Sequence, residues 1–168
     1  MPRGVIPNGF RIRAYQDADL PVLRCMIQGL QEAECGMDSS RARWSDGAAA
    51  YTEWTLDEIA ARSGAVFVAE TPDGTPIGVV TCWRADDPTD TTVTTEARIH
   101  LYVSDLFVVE PWRGRGVAGA LLAAAEQHGR NLGLAQITIG LLAVNHAARR
   151  AYEKSGFEDY EMLLRKRL

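Results

Sequence analysis

The chain has 168 residues, enough for one core, of which 46% are apolar and 24% charged. That balance excludes disordered and collagen-like classes. The formal net charge is -4, which argues against a general nucleic-acid binder, since such domains are usually basic.

Phe10 to Ala14 alternates apolar and basic residues and reads as a first strand. Asp17 or Asp19 is placed to cap a helix whose apolar positions Leu20, Leu23, Ile27 and Leu30 have helical spacing. A loop follows from Gly36 to Gly47. Thr55 and Glu58 are spaced as a capping box for a short helix, with Ser63-Gly64 as its stop. Ala65 to Glu70 reads as a buried strand, TPDGT as a turn, and Ile77 to Arg84 as the returning strand of a hairpin. Ala85 to Ala97 is a polar loop carrying Asp86, Asp87, Asp90 and Glu96, read as a solvated excursion.

Ile99 to Val109 is a long strand. Gly116 to Asn131 is a helix with Val117, Leu121, Ala124 and Ala125 on one face, ending near Gly133. Gln136 to Val144 is a strand whose apolar content predicts burial on both faces. Asn145 to Lys154 is a helix stopped by Ser155-Gly156, and Tyr160 to Leu164 begins a last strand. The order β-α-α-β-β-β-α-β-α-β predicts an α/β fold, with a mixed sheet and helices on both faces.

Cys25, Cys35 and Cys82 are odd in number and fit no zinc spacing, so they read as free thiols. Free thiols suit a reducing compartment. MPRGVIPNGFRIRAY lacks the apolar run of a signal peptide, and no stretch reaches the ~18 apolar residues of a membrane span. A soluble cytoplasmic protein is the expectation. His128 and His146 have no metal-ligand spacing and read as surface or helix residues.

The chemistry concentrates after the long strand, in EPWRGRGVAGALL. Gly114, Gly116 and Gly119 sit where a strand turns into a helix. Glycine lets backbone approach a ligand closely, and a helix start offers unpaired N–H groups and a positive dipole end. These features make an anion site with phosphate as its usual occupant, and Arg113 and Arg115 add charge. The glycines also match the dinucleotide fingerprint. That fingerprint expects an acidic residue ~20 positions on, yet no Asp or Glu lies between Glu126 and Glu153. A nucleotide-triphosphate loop needs Lys-Ser or Lys-Thr after its last glycine, whereas Ala120 and Leu121 follow Gly119.

Arg113, Gly116 and Ala118, followed by Asn145, Ala148, Tyr152 and Gly156-Phe157, resemble the landmarks of the GNAT N-acetyltransferase superfamily. The likeness covers most of the chain and is strongest from Tyr102 to Phe157. It implies a single GNAT-like domain over residues 1–168, built on a centrally splayed sheet. Ile99 to Val109 and Gln136 to Val144 would be the splayed strands. It implies acetyl-CoA as co-substrate and no metal. Backbone groups of Leu106, Phe107 and Val108 would pair with the pantetheine arm. Those of Arg113, Gly114, Arg115, Gly116, Val117, Ala118 and Gly119 would hold the pyrophosphate, and Asn145 would bond the arm.

The resemblance puts Tyr152 where the family keeps its general acid, and a strand N–H near Val108 beside the thioester carbonyl. The general base stays open. Asp105 is the acidic residue inside the strand, Glu96 and His100 are weaker candidates, and a chain of waters is another. YVSDLFV resembles the strand of polyamine acetyltransferases, Tyr-x-Glu-Asp-x-Phe-Val, with Ser104 in place of their Glu. Trp44, Trp54 and Trp83 are candidates to wall an acceptor pocket, and Trp112 to pack against the loop.

The implied reaction is direct attack by a primary amine in a ternary complex. No cysteine falls in the motif region to form an acetyl-enzyme. The acidic residues hint at a small cationic acceptor. A non-catalytic acyl-CoA sensor is the alternative. The expected partners are a small-molecule amine and, as one form of assembly, a second copy in a homodimer. Neither nucleic acid nor membrane is expected.

Overall fold

A computed structural model describes residues 9–44 and 50–168. Its elements are β1 (Arg11–Ala14), α1 (Leu20–Met37), α2 (Tyr51–Ala61), β2 (Ala65–Glu70), β3 (Pro76–Ala85), α3 (Thr95–Arg98), β4 (His100–Val108), α4 (Val117–Asn131), β5 (Ile137–Ile139) and α5 (His146–Lys154). The strands form one sheet in the order β1-β2-β3-β4-β5. Neighbours pair antiparallel except β4 and β5, which are parallel. This is the mixed α/β sheet expected from the sequence.

The sheet has a core on each face. On one, α4 sets Val117, Leu121 and Ala125 against Val80, Cys82, Leu101 and Val103. On the other, Leu23, Met26 and Ile27 of α1 meet Val66 and Val79, with Leu56 and Ile59 of α2 beside them. β3 lies between two partners and is buried from Ile77 to Trp83. A Cβ on Gly78 would lie 3.0 Å from the Phe107 carbonyl oxygen and 3.3 Å from Val117 Cγ1. The bare backbone there lets α4 sit close on the sheet.

Several boundaries differ from expectation. α1 runs through Gly36 to Met37, so the following loop is shorter at its start, and its residues 45–47 lie outside the described ones. Asp19 stands at the N-cap of α1 without a side-chain cap bond. Its carboxylate instead accepts from Arg13 at 2.6 and 2.8 Å and from the Gln16 N–H. α2 begins at Tyr51, which makes Thr55 a buried mid-helix residue rather than a cap.

The acidic loop ends in the extra helix α3, capped by Thr94. β5 keeps only Ile137–Ile139, each half-buried, because one strand neighbour and α4 leave its far side open. Tyr160 to Leu164, expected as a strand, runs without regular structure and with its apolar side chains exposed. Among the described residues no helix is long and apolar enough to cross a membrane.

Gly64 is the tightest glycine among the described residues. An added Cβ would lie 2.5 Å from the Cys82 carbonyl oxygen and 2.8 Å from Ile59 Cα. Neither backbone atom can swing aside as a side chain can. Gly64→Ala is expected to lower the unfolding free energy by about 1–3 kcal/mol, read from urea denaturation. A variant as stable as the parent would mean that the α2–β2 corner gives way without cost.

Candidate active site

The site begins with an irregularity in β4. Thr81 pairs with Asp105 while the next β3 residue, Cys82, pairs with Val103. Ser104 is therefore the extra residue of a β-bulge. Up to it, Leu101 and Val103 face α4. Past it the parity switches: Phe107 packs with the α1–α2 core and Leu106 and Val108 with the α4 core. Asp105 follows the new parity and turns toward α1 and α2.

Asp105 is only 4% exposed. Its Oδ2 accepts from Ser104 Oγ at 2.6 Å and Thr81 Oγ1 at 2.7 Å, with the Tyr51 hydroxyl at 3.5 Å. The Asp105 N–H donates back to Thr81 Oγ1 at 3.1 Å. Burial pushes the carboxyl above the usual carboxylate range, against the pull of these hydroxyls. Burial, then the Asp105 charge, pushes the Tyr51 and Tyr102 phenols up.

A second carboxylate joins from α1. Glu34 sits 3.3 Å from Arg41, and its side chain is 22% exposed. Burial raises its pKa, Arg41 pulls it down, and the Asp105 charge adds to the rise. The sequence reading did not single out Glu34. A lone Glu on an amphipathic helix reads as a solvated position, and only the fold brings it near β4. An aromatic chain runs beside this cluster. Tyr51 and Trp54 lie 5.4 Å apart, Trp54 and Trp83 5.7 Å edge-on, and Trp83 and Tyr102 5.4 Å. Trp44 packs with the α1–α2 core instead.

β4 and β5 are paired only at Leu101↔Ile137, Tyr102↔Thr138 and Val103↔Ile139. β4 continues to Val108 while the chain after β5 turns away, so the parallel strands part at the bulge. Val109 N–H is bonded to Ile77 on the β3 side. Backbone groups alternate along a strand. Those of Leu106 and Val108 thus turn to the open edge, and those of Phe107 to β3. Arg113 Nε donates to the Val108 carbonyl at 3.0 Å, as that orientation requires.

β4 leads through Glu110–Trp112 into the glycine loop. Gly114 and Gly116 have φ of +73° and +84°, with open space where a Cβ would stand. Only glycine adopts such φ freely. Gly116 is the N-cap of α4, so the N–H groups of Val117, Ala118 and Gly119 have no partner within the helix. Arg113 lies over the Phe107 ring at 5.8 Å and Arg115 over Trp112 at 5.2 Å. The loop is exposed, cationic and rich in free donors.

On α5, Asn145 caps the helix through Oδ1, which accepts from the Ala148 N–H at 3.0 Å. Its Nδ2 is bonded to no described residue. Tyr152 packs on Phe157 at 6.0 Å between ring centroids. Burial, then the Glu34 charge, pushes its phenol up to about 12.

The other candidates lie apart from this constellation. Glu96 is exposed on α3. His100 starts β4 and bonds to the Ala97 carbonyl. Asp86 pairs with Arg84 and Arg98, while Asp87 and Asp90 hold Thr89 and Thr92 in local turns. His128 contacts the Ser63 carbonyl, and His146 is exposed. Among the described residues no group of three or more His, Cys, Asp or Glu is placed to hold a metal.

A sheet splayed between two parallel strands, with a phosphate-type loop at the end of one of them, defines an acyltransferase-like architecture. The model of the Acetyltransferase (GNAT) family matches residues 30–157, and the chain belongs to that family. It is 34% identical over 67 residues to the uncharacterized N-acetyltransferase YycN of Bacillus subtilis (strain 168). It is 46% identical over 61 residues to the acetyltransferase Atu2258 of Agrobacterium fabrum. These matches take in 40% and 36% of this chain and 43% of each relative, so less than half of either relative's length is spanned.

Among solved structures, a mutant of the BH1408 protein from Bacillus halodurans superposes with TM-score 0.80 at 18% identity, over 94% of this chain and 99% of that one. The aminoglycoside acetyltransferase AAC(6')-Iy, in complex with a bisubstrate analog, superposes with TM-score 0.70 at 24% identity, over 95% and 97%. Such identities speak for the fold.

The raised pKa of Asp105 has a consequence for stability. The folded pKa lies above the unfolded one, so the native state holds its proton more tightly. Stability is then lost as pH rises from about 3.9 through the folded value. Asp105→Asn is expected to be more stable than the parent near neutral pH, because the buried charge is gone. The gain should close as pH falls below about 4. Thermal unfolding across pH reads this directly, and a neutral-pH loss of stability in the variant would contradict it.

Proposed function

We propose that this chain is a single-domain N-acetyltransferase that moves an acetyl group from acetyl-CoA to a primary amine of a small cationic molecule, by direct attack in a ternary complex. The observation that carries this reading is the meeting of the β4–β5 splay, the glycine loop at the start of α4 and the Asp105 network along one strand. The residues present suit acetyl-CoA. The loop from Arg113 through Gly114, Arg115, Gly116, Val117 and Ala118 to Gly119 has free donors and room where side chains would intrude. It would hold the pyrophosphate.

Leu106 and Val108 turn their backbone groups to the open strand edge and would pair with the pantetheine arm, whereas Phe107, expected to join them, turns its own to β3. Asn145 keeps its amide nitrogen for the same arm. Acetyl-CoA supplies the activated acyl group as a thioester. An amine near pKa ~10 arrives protonated and must lose a proton before it attacks. Asp105 is the proton acceptor. The Val108 N–H faces the position where negative charge develops. The Tyr152 phenol, pushed up to about 12, stays protonated through the working range and serves as the acid for the departing thiolate.

A cationic acceptor is supported by two carboxylates, Asp105 and Glu34, beside an aromatic wall of Tyr51, Trp54, Trp83 and Tyr102. The aminoglycoside acetyltransferases among the fold neighbours point the same way. The cytoplasm suits three free thiols.

Acetyl-CoA and a panel of amines, with release of free thiol as readout, test the reading. Diamines and polyamines are expected to outpace neutral-bodied amines. Stabilisation by acetyl-CoA with no thiol release on any amine would favour a binding module instead. Tyr152→Phe is expected to lower kcat by roughly 10²-fold or more and to leave acetyl-CoA binding nearly unchanged. Full kcat in that variant at neutral and alkaline pH alike would remove Tyr152 as the acid.

A further inference from the structure

Asp105 is too enclosed to meet a substrate nitrogen itself, and we propose that Ser104 is the catalytic side chain through which it takes the acceptor's proton. The inference rests on the reading above, that an amine is the acceptor. Three hydroxyls surround the Asp105 carboxylate: Thr81, Tyr51 and Ser104. Thr81 is fully buried, and its oxygen already accepts the Asp105 N–H. Tyr51 stands at the outer limit of hydrogen-bond distance, 3.5 Å, and its phenol holds its proton. Ser104 alone combines a short bond to Asp105, 2.6 Å, with a partly exposed side chain. It also stands on β4 one residue past Val103, where β5 departs.

The bulge makes this possible. In a regular strand neighbouring side chains point to opposite faces, and Ser104 could not reach Asp105. As the extra residue it can donate to Oδ2; it also lies 2.7 Å from the Thr81 hydroxyl, and its partly exposed oxygen keeps a second lone pair to receive a proton. An incoming ammonium gives one N–H proton to Ser104 Oγ as the Ser104 proton passes to Asp105 Oδ2. Ser104 ends neutral, the ammonium becomes an amine, and the carboxylate becomes a carboxylic acid. One positive and one negative charge cancel, which a buried site favours. The nitrogen sheds its second proton as the amide forms, and that proton restores the one Tyr152 gives up. The first proton returns from Asp105 to water through Ser104.

Other charges bear on this titration. Glu34 of α1 is itself raised by burial and by the Asp105 charge, and Arg41 pulls it down. Tyr51 of α2 and Tyr102 of β4 are neutral phenols over the same range.

The experiment compares the parent with Ser104→Ala and Ser104→Thr. It measures kcat against pH, proton inventories in H2O–D2O mixtures, and the Asp105 carboxyl titration by NMR on protein labelled with 13C-aspartate, without acceptor. Ser104→Ala is expected to lose roughly 10²-fold or more in kcat at unchanged KM for acetyl-CoA. Its acidic limb should move to the acceptor's own ammonium pKa, and a curved inventory should become linear. Ser104→Thr should keep most of the activity. The Asp105 titration should rise in Ser104→Ala, because a bond that favours the ionised form is gone.

Parent-like kcat in Ser104→Ala, an unmoved limb, or equal loss in Ser104→Thr would overturn the relay. If the parent acetylates no amine, the proposed activity fails. The NMR titration still judges the bond, and identical curves for parent and Ser104→Ala overturn it.

Discussion

In a regular β4, Ser104 and Asp105 would point to opposite faces of the sheet, and Asp105 would enter the apolar core under α4. One extra residue prevents this. The bulge shifts parity so that Leu101 and Val103 face α4 before it, while Asp105 and Phe107 face α1 and α2 after it. A bulge breaks the ladder and leaves backbone groups to be satisfied. Here the Thr81 hydroxyl takes the Asp105 N–H and in turn donates to the Asp105 carboxylate. Thr81 therefore mends the ladder and holds the carboxylate with the same oxygen. The parting of β4 and β5 falls at the same residue. The acidic group and the open strand edge are two products of one distortion.

β4 also ties the splay to the loop. Phe107 is packed from α1 by Gly29, whose added Cβ would come within 2.8 Å of its ring. From the other end Arg113 lies over the same ring and bonds the Val108 carbonyl. The first basic residue of the loop is thus anchored on the strand edge it follows. Arg115 is held over Trp112, which meets Phe10 edge-on. These contacts hold the loop's cationic stems, while Gly114 and Gly116 give it the left-handed turns that point N–H groups outward. A rigid strand and a permissive backbone combine in seven residues.

Much of this was legible in the sequence for local reasons. Glycine at positions of positive φ and the helix start at Val117 leave marks within a few residues, so the loop could be read in place. Asn145 and Tyr152 stand where the family resemblance puts its landmarks, on one helix, so the resemblance points to them. The bulge left no such mark. It is a count of two residues against one, and it exists only relative to β3. The same holds for Glu34 and Tyr51, which reach Asp105 through helix packing on the sheet. Apolar content alone cannot tell a paired strand from the chain that leaves it, so Gln136 to Val144 reads as a longer strand than β5 is. The spacing of Thr55 to Glu58 fits a cap, while tertiary packing starts the helix at Tyr51.

Burial of Asp105 works in two directions. It raises the carboxyl pKa, which brings the group nearer to the pH where a base is most effective. It also makes ionisation costly to the fold near neutrality. Hydroxyls rather than cations surround the carboxylate, and this choice matters. An arginine at 3 Å would stabilise the ionised form and pull the pKa back down. Ser104 and Thr81 offset only part of the desolvation. Arg41 is placed on Glu34 instead. Glu34 is thereby moderated while Asp105 keeps its affinity for a proton. In the proposed reaction their partners would set the two carboxylates to different tasks: Glu34 to hold positive charge, Asp105 to remove it.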